Sequence, residues 1–417
     1  GYFTAIWTAL PALLVLIIWM TLENYVIIRL TFESLPEHLL PTDTSSTTLL
    51  ANKINNLALG VLPPVGQPTE ILAAAKQLLL YNEFSRWTMA AVVSCTALMG
   101  FSWGRSYLST EFRARQPVES VAQYVLFCCA VVAIFTTLGI LLSVIFESLQ
   151  FFKSVPVFDF VFGLEWSPQT AIRDDQVGSS GSFGAVPLFV GTLLVSAVAM
   201  CISVPVGLMS AIYLAEYAHR STRTYAKPAL EVLAGIPTVV YGFFAALTLG
   251  PYLRTIGESF DLSVSSESAL AAGIVMGVMI IPFISSLADD VITAVPQAMR
   301  DGSLAMGATH SETVWRVVIP AALPGIVAGI MLAISRAIGE TMIVVMASGL
   351  AANLTANPLE SVTTVTVQIV TLLTGDQEFD SPKTLAAFAL GLMLFIVTLI
   401  LNVIALQVVK RFREQYE

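Results

Sequence analysis

The sequence predicts an all-α, polytopic membrane protein, and three observations carry that prediction. Of its 417 residues, 56% are hydrophobic and 12% are charged, about half of the roughly 25% charge that soluble domains carry. Several apolar runs reach or exceed the roughly 20 residues that span a bilayer. Lysine and arginine collect in the connections between those runs, on alternate sides. The net charge of −9 offers no basic surface to nucleic acid, so no nucleic-acid partner is expected.

Eight spans are expected, at residues 3–28, 87–103, 121–149, 185–215, 228–249, 269–288, 322–349 and 385–409. At about 1.5 Å rise per residue, the longer ones can cross with tilt. No basic segment precedes the first run, so a cleaved signal peptide is not expected, and the opening Gly1 leaves room for chain upstream. Eleven cations lie in short connections: Arg105, Arg113, Arg115, Arg220, Arg223, Lys227, Arg300, Arg316, Lys410, Arg411 and Arg413. The opposite side has eight, Arg29, Lys53, Lys76, Arg86, Lys153, Arg173, Arg254 and Lys383, in segments about twice as long. The denser set is therefore assigned to the cytoplasm.

Two outer segments stand out. Residues 29–86 contain an apolar stretch, 69–81, expected as a surface helix. Residues 151–184 carry Phe158, Phe160, Phe162 and Trp166, acidic Asp174 and Asp175, and a flexible Gly178–Gly184 run. The aromatics suit either an extracytoplasmic partner or a lipid-interface belt. The four cysteines, Cys95, Cys128, Cys129 and Cys201, all fall in apolar runs and read as small packing residues. With scattered histidines they form no metal or disulfide spacing, and no metal or cofactor is expected.

Chemistry motifs are absent. No Gly-Lys dipeptide occurs, so a GxxxxGK[ST] phosphate loop is excluded and the chain does not hydrolyse ATP by that route. GxSxG and HExxH are absent too. The polar features that remain belong to a transport path or a docking surface.

The first is DGSLAMGATHSETVWRVVIPAALP, residues 301–324, a connection on the cytoplasmic side. Ala, Leu and Met favour helix up to Met306. Gly307 suits a sharp turn, a second short helix is expected from Ser311 to Val318 with Ser311 as its cap, and Pro320 and Pro324 mark re-entry into the membrane. A helix–Gly turn–helix there is either a shaped docking surface or an interfacial hairpin. The second feature is SRAIGET, Ser335 to Thr341, expected mid-way along the seventh span. Arg336 and Glu340 are four apart, hence on one helix face. A central charge costs about 2.5–3.5 kcal/mol on insertion scales, so the two should pair and face a cavity. They are either an anion path or a structural ion pair. The third is AGIPTVVYG, where Gly235, Pro237 and Gly242 suggest a broken helix beside substrate or a packing kink. Pro205 and Pro282 also read as kinks, and Glu231 as interfacial.

The 301–324 connection resembles the coupling loop of ABC-importer permeases. Asp301, Gly302 and Ser303 stand where that family has Glu-Ala-Ala, and Ala305, Gly307, Ala308, Leu323 and Pro324 match. Together with GSFGAVPLFVGTLL, AIYLAEYA, LEVLAGIPTVVYG, DGSLAMGAT and SRAIGETM, the chain resembles the phosphate-importer permease family, PstC-type rather than its PstA-type sister. The resemblance covers residues 181–409. It implies a six-helix permease core of the MetI-like fold over residues 119–417, with a cytoplasmic coupling loop at 290–320, preceded by two extra helices in residues 1–118. It further implies a PstA-type second permease, a PstB-type ATPase dimer, a PstS-type phosphate-binding protein outside, and surrounding lipid. The substrate path falls on Arg336, Glu340, Ser335, Thr341 and Pro237, and the ATPase contact on Asp301, Gly302, Ser303, Ala305, Gly307, Ala308 and Thr309. A permease for sulfate or molybdate would share the loop without needing SRAIGETM. A stand-alone secondary transporter or channel would need no ATPase but would show an internal inverted repeat, and none is evident. A membrane anchor leaves Arg336 and Glu340 with packing alone.

Overall fold

A computed structural model describes residues 1–36, 44–63, 67–109, 112–168, 181–374 and 381–413. Arg173, Asp174, Asp175 and the start of the 178–184 run lie outside the described residues. The chain forms two compact units, Gly1–Thr136 and Thr137–Glu417, and the division falls within one long helix.

The first unit contains α1 (Tyr2–Glu33), α2 (Thr44–Ala58), α3 (Thr69–Ser106) and the start of α4 (Arg115–Ser154). α1 and α3 lie so close that a Cβ on Gly100 would stand 2.1 Å from the Trp7 carbonyl oxygen. Trp19 Nε1 donates to Ser85 Oγ at 3.0 Å, and Ser85 Oγ donates to Glu23 Oε1 at 2.7 Å. Stretch 69–81 is no separate surface helix. It is the first part of α3, and it buries Ile71, Ala74, Ala75 and Leu78 against Ile27 and Ile54. Their spacing is that of a helix face packed on a neighbour.

The second unit begins with the rest of α4. Then come α5 (Val157–Phe162), the antiparallel pair β1 (Trp166–Ser167) and β2 (Ser182–Phe183), and α6 (Val186–Ile212), which ends in a π-helical turn, Tyr213–Tyr217. There follow α7 (Arg220–Ala234), α8 (Thr238–Phe244), a π turn at Ala245–Leu249, α9 (Gly250–Ser259) and α10 (Ala269–Ala294). The last part comprises α11 (Gln297–Ala305), α12 (His310–Thr313), a π turn at Val314–Val318, α13 (Ile319–Ile338), α14 (Met342–Ala347), α15 (Val365–Leu373) and α16 (Pro382–Arg413). α10 is the central element. Gly273 and Gly277 let it approach α6 so closely that a Cβ would meet Val198 at 2.6 Å and the Ala199 carbonyl at 3.0 Å. The core around it holds Val195, Met276, Ile280, Ile284 and Ala333.

Seven helices among the described residues are long and apolar enough to cross a membrane: Tyr2–Glu33, Arg115–Ser154, Val186–Tyr217, Thr238–Ser259, Ala269–Ala294, His310–Ile338 and Pro382–Gln407. The expected span at 87–103 is helical within α3 but is not among the seven, because Trp87, Thr88, Ser94, Thr96, Ser102 and Trp103 dilute its apolar run. Two expected spans also start elsewhere. The fifth begins after Pro237, since α7 is an amphipathic helix with no buried residue. The seventh begins at His310, because α12 runs through its π turn into α13 without a break. Pro320 lies inside that candidate span. It sits in the first turn of α13, just beyond a widened turn that accommodates its missing donor and ring. Pro205 and Pro282 lie inside continuous helices.

The outer aromatics divide. Phe160 and Trp166 are buried with Phe151, Phe183 and Leu188, so neither forms a lipid belt, whereas Phe158 and Phe162 stack together at the surface. Trp166 Nε1 donates to Gln368 Oε1 at 2.9 Å, and Gln368 Nε2 donates to Thr363 Oγ1 at 3.1 Å. This ties the short hairpin to α15. The cysteines are unpaired and exposed, which corrects the expectation of packing residues.

Candidate functional site: a cationic cavity and a helical elbow

Helices α7, α10 and α13 enclose a cavity of about 270 Å³, lined by Lys227, Glu231, Met279, Phe283, Asp289 and Arg336 among others. Arg336 enters it from the last turn of α13, where a cation complements the helix C-terminus. Its Nη2 lies 3.8 Å from Met279 Sδ, and its guanidinium carbon is 5.5 Å from the centre of the Phe283 ring. It forms no ion pair among the described residues. A guanidinium held only by a thioether and a ring face keeps its planar fork of donors free for an oxyanion.

Glu340 is not its partner. α13 ends at Ile338, Gly339 caps it, and Glu340 falls in the break before α14. The expected four-residue pairing on a continuous helix therefore does not form. Instead, Glu340 Oε1 accepts from the backbone N–H of Thr341 and of Met342, both at 3.1 Å, and so satisfies the start of α14. The Glu340 carbonyl accepts from Thr366 Oγ1 at 2.9 Å, which joins the break to α15. Thr341 Oγ1 donates back to the Gly339 carbonyl at 3.4 Å. Ser335 Oγ donates to Asn402 Oδ1 at 3.0 Å and so binds α13 to α16. Pro237 is exposed at the corner between α7 and α8, so AGIP is the turn into a span, not a kink within one. Of the expected path residues, only Arg336 reaches the cavity.

The cavity also holds a buried carboxylate, Asp289, that spacing did not single out. Asp289 is only 3% exposed. It accepts from Arg223 Nη2 at 3.1 and 3.2 Å and from Lys227 Nζ at 2.9 Å. Arg223 and Lys227 are one helical turn apart on α7. Lys227 also reaches Asp290 at 3.4 Å. The hydrogen bond to Asp289 is the chief cause that raises the Lys227 pKa above its ordinary value. The signal in the sequence was the Asp289–Asp290 doublet, which directly follows the apolar run that was closed at Ala288.

The second locus is the elbow. α11 ends in a Schellman closure: Ala308 N–H donates to the Ser303 carbonyl at 3.2 Å and Gly307 N–H to the Leu304 carbonyl at 3.0 Å. Gly307 takes φ +90° there, which the sequence anticipated. The cap of the next helix is Thr309, not Ser311. Thr309 Oγ1 accepts from Glu312 N–H at 3.3 Å, and Glu312 Oε2 accepts from Thr309 N–H at 2.9 Å, a reciprocal capping box. Ser303 and Thr313 hydroxyls meet at 3.0 Å across the turn. Asp301, Gly302, Ala305 and Gly307 are exposed, α11 buries no side chain, and Met306 is 89% exposed. The elbow is fixed from behind by Arg300, whose Nη2 donates to Glu216 Oε1 and to the Ile292 carbonyl, both at 2.8 Å, while Nη1 donates to the Val295 carbonyl.

Residues 203–414, which carry both loci, match the family described as the binding-protein-dependent transport system inner membrane component. The chain belongs to this permease family. Residues 1–63 of this permease match a second family, described as a phosphate ATP-binding cassette transporter. A probable ABC transporter permease protein, YqgH, of Bacillus subtilis is 31% identical over 286 residues, covering 68% of this permease and 88% of that protein. The phosphate transport system permease proteins PstC 1 of Mycobacterium bovis and Mycobacterium tuberculosis are each 32% identical over 277 residues, covering 60% of this permease and 81% of theirs. The permease is thus a multi-pass inner-membrane protein of MetI-like, PstC-type character.

Proposed function

We infer that this permease forms one half of the phosphate path of an ATP-driven importer. The observation that carries the reading is Arg336, a guanidinium that faces the cavity and makes no ion pair among the described residues. The phosphate-transporter match at residues 1–63 and the PstC relatives favour phosphate over sulfate or molybdate. A PstA-type permease supplies the other half, a PstS-type protein delivers phosphate outside, and two PstB-type ATPase subunits work from the cytoplasm. The exposed face of α11 with Met306 is the surface offered to the ATPase, through Asp301, Gly302, Ser303, Ala305, Gly307, Ala308 and Thr309.

Mechanism follows from how each part is held. ATP binding draws the two ATPases together and displaces the elbow. Arg300 and Glu216 pass that displacement to the end of α6, and α12 passes it straight into α13, on which Arg336 rides. Cavity access then alternates between the two sides. Ser335, Glu340, Thr341 and Pro237 support the path from outside the cavity by fixing the ends of α13, α14 and α8.

Uptake of labelled phosphate by vesicles holding the reconstituted complex tests this reading. It should require internal ATP and persist in a large excess of sulfate. Uptake without the ATPase, or its loss to sulfate competition, would overturn it.

A further inference from the structure

The cavity has cations at two places along α10, in opposite electrostatic states. Arg336 stands against Met279 and Phe283. Lys227 stands against Asp289, six residues further along α10, which is about 9 Å at 1.5 Å per residue. Arg336 carries no carboxylate. Lys227 and its neighbour Arg223 are both engaged by the buried Asp289, Lys227 also reaches the exposed Asp290, and Glu231 lines the same cavity.

We propose that Lys227 and Arg223 form a second anion station, and that Asp289 is its built-in competitor, occupying the two cations whenever phosphate does not. The inference rests on the phosphate reading above and specifies how that path lets go of its substrate.

The chemistry supports a competitor rather than a simple brace. A carboxylate and a phosphate present similar oxygen acceptors to guanidinium and ammonium groups. A phosphate leaving Arg336 meets cations at the next station and binds there by displacing Asp289. The returning carboxylate then expels it. Without such a competitor Lys227, on the cavity wall, and Arg223, one helical turn away, would together retain a multiply charged anion. Here two cations, each with a side chain 35% exposed, converge on a carboxylate that is 4% exposed. Lys227 faces the cavity, Arg223 is part-exposed beside it, and the competitor is held in place between them.

The test uses the complete complex, with equilibrium retention of labelled phosphate and single-turnover release as readouts. Asp289→Asn should retain phosphate at least tenfold more tightly and release it at least tenfold more slowly, while Lys227→Gln and Arg223→Gln should each raise the KM for uptake several-fold. Parental retention and release in Asp289→Asn would overturn the proposal. Should Asp289→Asn fail to assemble, the two cation variants decide, and an unchanged KM in both overturns it. If the unaltered complex takes up no phosphate at all, the functional reading itself fails. Normal uptake with unchanged release in Asp289→Asn overturns this proposal and leaves the functional reading standing.

Discussion

Arg336 lies over the ring of Phe283, 5.5 Å from its centre, while Glu340, four residues on, caps the following helix with its carboxylate. One motif thus serves two tasks, divided by the helix end at Ile338. The effects of Arg336→Ala and Glu340→Ala on stability should therefore add to within about 0.5 kcal/mol, as for uncoupled sites. Glu340→Ala alone should cost about 0.5–2 kcal/mol, the usual loss of a helix cap. A double-mutant cycle on thermal melting checks both numbers.

Gly307 holds φ +90° at the elbow, in open space, with no atom within 4 Å of where a Cβ would stand. The penalty for a side chain there is conformational and not steric crowding. Gly307→Val should strain the turn by about 1–2 kcal/mol, reshape the elbow and lower co-purification of the ATPase. Gly307→Asn, which tolerates the left-handed region, should retain most of it. Pull-down of the ATPase from solubilised membranes gives the comparison.

The Arg300–Glu216 pair is nearly enclosed, its side chains 13% and 8% exposed. Removing one partner of a buried pair typically costs about 3–5 kcal/mol. Arg300→Ala should lower the yield of folded permease and, in what survives, separate ATP hydrolysis from uptake. The ratio of phosphate moved to ATP consumed should fall, and parallel assays of both quantities would show it.

Lys227 has its pKa raised chiefly by the hydrogen bond to Asp289. A folded-state value above the unfolded one contributes stability that is fully present below the unfolded pKa and disappears as pH rises through the folded one. The unfolded value lies near 10.5. The melting-temperature gap between the parent and Lys227→Gln should hence stay constant from about pH 6 to 9 and close only in more alkaline solution. Melting curves across that range would reveal a gap that closes earlier.

Most of the spans were legible because long apolar runs are a property of composition. The elbow was legible through Gly307, since few residues accept its backbone angle. Its cap was misplaced by two residues because Thr309 and Ser311 are both competent caps, and only the reciprocal bond with Glu312 distinguishes them. Arg336 was legible as a charge that faces a cavity, but its surroundings were not. Spacing alone suggested Glu340 as partner, yet Gly339 ends the helix between them. Asp289 escaped notice because its partners are more than 60 residues away in sequence, on α7. Burial of Trp166 with Gln368, 202 residues apart, was hidden for the same reason.

Phosphate uptake by Arg336 variants of the reconstituted complex tests the central claim most directly. Hydrogen bonds to a charged group are worth about 1.5–3 kcal/mol, so Arg336→Ala should slow uptake about 10- to 100-fold, and Arg336→Lys, which keeps the charge but not the planar fork, should fall between. Parental uptake rates in both variants would contradict a path through this guanidinium.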